Sequence, residues 1–249
     1  LRRMDRLGIE KVALIVMGPA LQELFVQTQS CPAPTHEDLA TAIRNYPDRF
    51  MGYGYIRPGH DTPDAIDRYA DLGMAGLKFH MSDKPYGQEE YFPLYETARK
   101  HHLVCLFHTG IFYPPTPMPG ERIRSENYRP IHLEPIAHEF PDLPLIAAHL
   151  GVCWNEEAAA LCRICPNIYA DLSGRVDGWR SAMPVERLAQ LLYWPEAHTK
   201  ILFGSDVHAD ELSETLEHQT SLLRQIGWEG HQIQNFLGNN ARRLFGEAK

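Results

Sequence analysis

Apolar residues come in short dense runs separated by longer amphipathic stretches. Seven runs are rich in β-branched and aromatic residues: KVALIVM (11–17), FMGYGYI (50–56), AGLKFH (75–80), LVCLFH (103–108), LPLIAAH (143–149), NIYADLS (167–173) and KILFGSD (200–206). Most are apolar at successive rather than alternate positions, the pattern of strands covered on both faces. Between them the period lengthens to that of helices. Thr35 followed by Asp38 predicts a capping box opening HEDLATAIRNY, with Leu39, Ile43 and Tyr46 on one face. PLYETARKHH carries Pro93 in its first turn and Leu94, Tyr95 and Ala98 at helical spacing. LSETLEHQTSLLRQIG predicts a longer helix with Leu212, Leu216, Leu223 and Ile226 inward, stopping at Gly227.

Strand and helix alternate from end to end, with no linker and no shift in composition. Each interval is long enough for a crossover helix. The pattern predicts one α/β domain over residues 1–249 with a parallel sheet. No G-x-G-x-x-G or Walker sequence follows an early strand, which argues against an open nucleotide-binding sheet. The expected architecture is a (β/α)8 TIM barrel. That fold needs eight strands, and LRRMDRLGIE reads as the last turns of a helix, so the first strand is expected upstream of residue 1 or missing. The alternative is a weak strand near Leu21–Val26.

Composition narrows the function. The net charge of −8, without a basic run, excludes nucleic acid and anionic membrane as partners. No apolar run reaches the roughly 18 residues of a membrane span. Five cysteines, an odd number in an ordinary composition, point to a reducing cytoplasm. Cys162 and Cys165 have C-x-x-C spacing but no second pair, and read as buried residues at a helix end. A small-molecule substrate is expected. The sequence does not fix the oligomeric state; a homodimer is one option, with Trp154, Trp179 and Trp194 either lining an interface or filling the core.

In a barrel of this kind chemistry sits at the C-terminal ends of the strands. There the runs end in His108, His149 and Asp206, and Lys78 and His80 share one face of a fourth run. Each has an innocent reading, a hydrogen-bonded histidine or a turn aspartate. Together they place imidazoles, a carboxylate and an amine where barrel geometry makes strand ends converge. Burying a carboxylate beside imidazoles is costly without a cation or hydrogen bonds. Two neutral imidazoles and a carboxylate suit zinc or a similar divalent ion.

The blocks VCLFHTG, LPLIAAHLG, IYADLSG, KILFGSD and the terminal NNARRLFG, with MDRLGIEKVALI near the start, resemble the amidohydrolase superfamily. The branch they are most similar to is the amidohydrolase-2 group, which includes aminocarboxymuconate-semialdehyde decarboxylase. The resemblance implies that His108 binds metal at the fifth strand and that His149 acts on substrate or metal-bound water at the sixth. Asp206 would contact the metal at the eighth strand and accept a proton from water. It also implies a divalent metal ion, zinc in the first place. The family's first-strand His-x-His pair does not occur in this sequence, so further ligands are expected from the missing N-terminal strand. Val152 and Val207-His208 also depart from the family pattern.

Lys78, with His80 beside it, is expected to contact substrate, or else to pair with an acid in the barrel mouth. The proline-rich segment 110–130 follows His108 and either closes over a substrate, with Arg122 or Arg124 reaching a carboxylate, or forms a surface insertion. The expected activity is metal-dependent hydrolysis of an amide, ester or lactone. Nonoxidative decarboxylation of an aromatic or unsaturated acid is the rival, and a noncatalytic barrel the third reading.

Overall fold

The computed structural model describes residues 1–18, 22, 34–112 and 123–246. Seven strands form a single sheet: β1 (Val12–Ile15), β2 (Phe50–Ile56), β3 (Gly76–Phe79), β4 (Val104–Phe107), β5 (Leu145–Ala147), β6 (Ile168–Asp171) and β7 (Ile201–Leu202). They lie in chain order, and every neighbouring pair is parallel. Most are shorter than the apolar runs that announce them. The polar ends of the runs leave the ladder, so His80 and His108 stand one residue past the last paired position, His149 two and Asp206 four.

Alternation along the strands divides the core into two layers. Leu77, Phe79, Cys105, Phe107, Leu145, Ala147, Ile168, Ala170 and Ile201 belong to the large outer cluster between sheet and helices. Tyr53, Val104, Leu106, Ile146, Ala148 and Leu202 form a separate inner cluster. Residues of β2, β4, β5 and β7 can share one inner cluster only if the sheet curls on itself, as in a barrel. The helix Asn240–Leu244 and the following Phe245 close the end where the strands begin, with the Phe245 ring edge-on to Tyr53 at 6.2 Å.

Among the described residues β1 and β7 each pair with one neighbour, and no eighth strand joins them. Ala13 and Ile15 of β1 are exposed as a result. Apart from Gln22, the stretch 21–26 lies outside the described residues.

Helices occupy the intervals as expected: His36–Asn45, Pro63–Asp71, Phe92–Lys100, Glu134–Glu139, Asn155–Ile164, Val185–Leu191 and Leu212–Gln225. The capping box forms, with Thr35 Oγ1 accepting the Asp38 N–H at 3.1 Å and the Asp38 carboxylate accepting the Thr35 N–H at 2.9 Å. Tyr46 does not join the buried face of that helix: the helix ends at Asn45, and Tyr46 is 46% exposed. The last long helix turns the expected face inward, but polar residues take part of it. Thr215, Gln219, Thr220 and Leu223 are buried, while Leu212 and Leu216 are half-buried. Gln219 Nε2 donates to the Gly204 carbonyl at 2.7 Å, which draws a polar position under the loop after β7. Cys162 and Cys165 are buried at their helix end, and Trp194 is buried while Trp154 and Trp179 are half-buried. No described helix is long and apolar enough to cross a membrane.

Candidate active site

On β3, Leu77 and Phe79 face the helices, so alternation turns Lys78 and the following His80 to the barrel interior. The same rule carries Leu106 inward and His108 after it. The two imidazoles lie side by side, ring centroids 4.2 Å apart. Phe112 and Tyr128 stand against His80 at 4.9 and 5.8 Å, giving the mouth an aromatic wall. His80 Nδ1 and His108 Nε2 are buried with no hydrogen-bond partner among the described residues. Burial pushes both imidazoles well below the ordinary histidine range, and nearby Lys78 and His149 push the same way, so both are neutral at physiological pH.

Lys78 is half-buried and forms no salt bridge among the described residues. Burial lowers its pKa, and the fields of Asp206 and Asp171 work against that shift. A desolvated ammonium at the strand ends favours a neighbouring anion.

The loops after β4 and β5 are built against each other. Thr109 Oγ1 donates to the Ala148 carbonyl at 2.5 Å. The Gly110 N–H donates to Tyr128 at 3.0 Å and the Ile111 N–H to Val152 at 2.7 Å. Gly110 has φ of 112°, and a Cβ there would lie 1.9 Å from the Val152 oxygen, which accounts for the glycine of His-Thr-Gly.

His149 breaks the alternation. Ile146 and Ala148 face inward, so an extended residue 149 would point at the helices. Instead His149, Leu150 and Gly151 have φ of 60°, 46° and 67°, three left-handed residues in succession. The turn brings the His149 ring within 5.2 Å of His108. Its backbone N–H donates to Asp171 Oδ1 at 2.8 Å, which holds the turn. Burial lowers the His149 pKa first, Asp171 opposes that shift, and Lys78 reinforces it.

Asp171 and Ser173, at the end of β6, are site residues that the strand-end reading passed over. Asp171 Oδ1 also accepts the Ser173 N–H at 2.9 Å and the Ser173 hydroxyl. Ser173 Oγ lies 2.8 Å from His149 Nδ1. The Ser173 carbonyl accepts from Trp179 Nε1 at 3.0 Å, and the buried Arg180 guanidinium donates to Leu172 and Gly174 on either side. A readable signal existed: polar residues at 171 and 173, two apart, follow the run Ile168-Tyr169-Ala170.

Asp206 sits on a left-handed turn past β7, with φ of 52°, and is exposed. Its field reaches Lys78 and His149. Arg124 is exposed and Arg122 lies outside the described residues. The buried, unpartnered His108 Nε2 has the character of a metal donor. Yet no group of three or more His, Cys, Asp or Glu side chains placed to hold a metal ion occurs among the described residues. His108 is half-buried and Asp206 exposed, and two side chains fall short of the three protein ligands that a catalytic zinc usually takes.

No curated protein sequence matches. An uncharacterised TIM-barrel protein from Bordetella bronchiseptica superposes with a TM-score of 0.74 at 18% identity, covering 99% of this chain and 81% of its own. A 5-carboxyvanillate decarboxylase from Novosphingobium aromaticivorans, solved with manganese and 4-hydroxy-3-methoxy-5-nitrobenzoic acid, gives 0.63 at 17%, covering 98% and 78%. A probable 2-pyrone-4,6-dicarboxylic acid hydrolase from Acinetobacter baumannii, with citric acid bound, gives 0.62 at 13%, covering 98% and 86%. At these identities the likeness establishes the fold alone. The sequence model of the family described as Amidohydrolase (Amidohydro_2) matches residues 16–246, and this chain belongs to that amidohydrolase-2 family.

Proposed function

We propose that the chain is a hydrolase acting on a small carboxylated molecule at the mouth formed by Lys78, His80, His108 and His149. The observation that carries the reading is the meeting of neutral imidazoles with an ammonium that has no salt bridge among the described residues, at the strand ends of a curled parallel sheet. Lys78, with His80 beside it, holds the substrate carboxylate against the aromatic wall of Phe112 and Tyr128. Water attacks an ester, lactone or amide carbonyl, and its proton passes to His149 or Asp206. The same proton then goes to the leaving group.

A divalent ion, when bound, supplies an acidified water. From this chain it would draw on His108 and Asp206, and it would need ligands from outside the described residues. The frame of this reading is a (β/α)8 barrel in which a further strand lies between β1 and β7.

A second reading is decarboxylation. It is favoured by one feature, the lowered pKa of Lys78, which makes that ammonium a better proton donor toward carbon. A panel of carboxylated aromatics, lactones and esters, assayed with and without added zinc or manganese, tests both. Hydrolysis yields a new carboxylate and an alcohol or amine; decarboxylation releases carbon dioxide. Either activity should fall with His149→Gln. Turnover that His149→Gln leaves intact would remove the site from the chemistry.

A further inference from the structure

Among the described residues His149 Nδ1 faces two oxygens, both of Ser173: the hydroxyl at 2.8 Å and the carbonyl at 3.4 Å. The carbonyl can only accept. The hydroxyl has one proton, and that proton is committed to Asp171 Oδ1, which as a carboxylate oxygen can only accept as well. Both neighbours of Nδ1 are therefore acceptors, and the imidazole must supply the hydrogen. We infer that Ser173, braced by Asp171, is a positioning residue that holds His149 in its Nδ1–H tautomer and so presents a bare Nε2 lone pair to the mouth.

The opposite tautomer fails on the same contacts. A bare Nδ1 would face the Ser173 carbonyl lone pairs, and the serine proton would have to leave Asp171 to serve it. The loop cannot easily turn to avoid this. The carbonyls of Leu172, Ser173 and Gly174 are each engaged from outside, by Arg180, Trp179 and Arg180 in turn. Asp171 fixes both partners at once, because one oxygen accepts the backbone N–H of His149, the backbone N–H of Ser173 and the serine hydroxyl.

The inference rests on the proposed activity for its purpose and sharpens it. A neutral His149 of this tautomer has no Nε2–H to offer an oxyanion, so its part in the first step is to accept. Water gives its proton to Nε2 as its oxygen bonds to the carbonyl carbon, whose π pair moves onto oxygen. The Nε2–H then protonates the leaving group as its bond to carbon breaks.

The test is a long-range ¹H–¹⁵N correlation spectrum of the full chain labelled at histidine, with His149→Gln identifying the resonances of residue 149. The wild type should show a protonated Nδ1 and an unprotonated Nε2. Ser173→Ala should lose that single pattern and gain an Nε2–H form, and Ser173→Thr, which keeps the hydroxyl, should retain it. On any substrate turned over, Ser173→Ala should lower kcat about tenfold or more with little change in KM. An Nε2–H form in the wild type, or an unchanged pattern in Ser173→Ala, would overturn the inference. If Ser173→Ala does not fold, the wild-type spectrum and Ser173→Thr decide the matter. The spectrum needs no substrate, so an Nδ1–H pattern in a chain without turnover would count against the proposed activity alone.

Discussion

Removing the Asp171 carboxylate should cost far more stability than a half-polar mouth position normally does. In Asp171→Ala the backbone N–H groups of His149 and Ser173, which donate to Oδ1 at 2.8 and 2.9 Å, lose their acceptor. A buried donor left unpaired costs about 1–3 kcal/mol, so the two together cost roughly 2–6 kcal/mol. The left-handed strain of His149 is present with or without the carboxylate and cancels from the difference. A loss near 4 kcal/mol is expected, a large part of the roughly 5–15 kcal/mol that holds a domain folded. Asp171→Asn keeps an oxygen acceptor but gives up its charge, and charge-assisted bonds are about twice as strong as neutral ones, so about 1–2 kcal/mol is expected. Urea unfolding followed by tryptophan fluorescence measures both, with the m-value checked against wild type. The reasoning is refuted if Asp171→Ala lies within about 1 kcal/mol of wild type at an unchanged m-value, or if the Asn variant is the less stable of the two.

Lys78→Met should hold or raise the urea midpoint, because it removes a desolvated ammonium, and should abolish calorimetric binding of a carboxylated aromatic; a variant that still binds would exclude Lys78 as the anion anchor. Acid should destabilise the fold. Burial lowers the pKa of His36, His80, His108, His132, His149, His198 and His218, so below the ordinary value of 6.5 the unfolded chain binds more protons than the folded one. Each imidazole neutral in the fold and charged in the unfolded chain contributes about 1.4 kcal/mol per pH unit, and a urea midpoint that does not fall between about pH 7 and pH 5 contradicts this. The thiols of Cys105, Cys162 and Cys165 are buried, and that of Cys162 is pushed up to about 12, whereas Cys153 is exposed. In a Cys31→Ser chain a thiol reagent should titrate Cys153 natively and all four remaining cysteines in denaturant; fast native labelling at Cys162 or Cys165 would overturn the reading of that C-x-x-C as packing.

Much of the frame was legible because parallel strands under helices leave dense apolar runs. All seven runs are strands, in the order read. The inward direction of Lys78 and His80 followed from alternation alone, since Leu77 and Phe79 between and beside them are the outer-layer residues. Pattern was weaker where a polar side chain had a buried partner. Gln219 lies between Leu216 and Leu223 on the inner helical face, a place its polarity argues against, and the Gly204 carbonyl after β7 offers it a bond there. The exposure of Asp206 was also invisible, because three residues of irregular chain lie between Leu202 and the carboxylate.

His149 shows why the rest of the site could not be read locally. Strict alternation from Ile146 and Ala148 sends residue 149 outward, and only a left-handed turn returns it to the mouth. Nothing in His-Leu-Gly demands that turn at the histidine itself, for a non-glycine residue pays for φ near 60°. The compensation comes from 22 residues further along the chain. In the β5–β6 register Ala147 is opposite Ala170, so the next residue of β6, Asp171, comes level with the start of the turn. Its carboxylate meets the His149 N–H there. The imidazole's position is thus set by sheet register rather than by its own neighbours. The Ser173 that faces its Nδ1 is delivered by the same strand two residues on. A sequence reader who places β5 beside β6 can pair the outlying histidine with the two polar residues at the end of its neighbour, and the strained turn then becomes the expected consequence of that pairing.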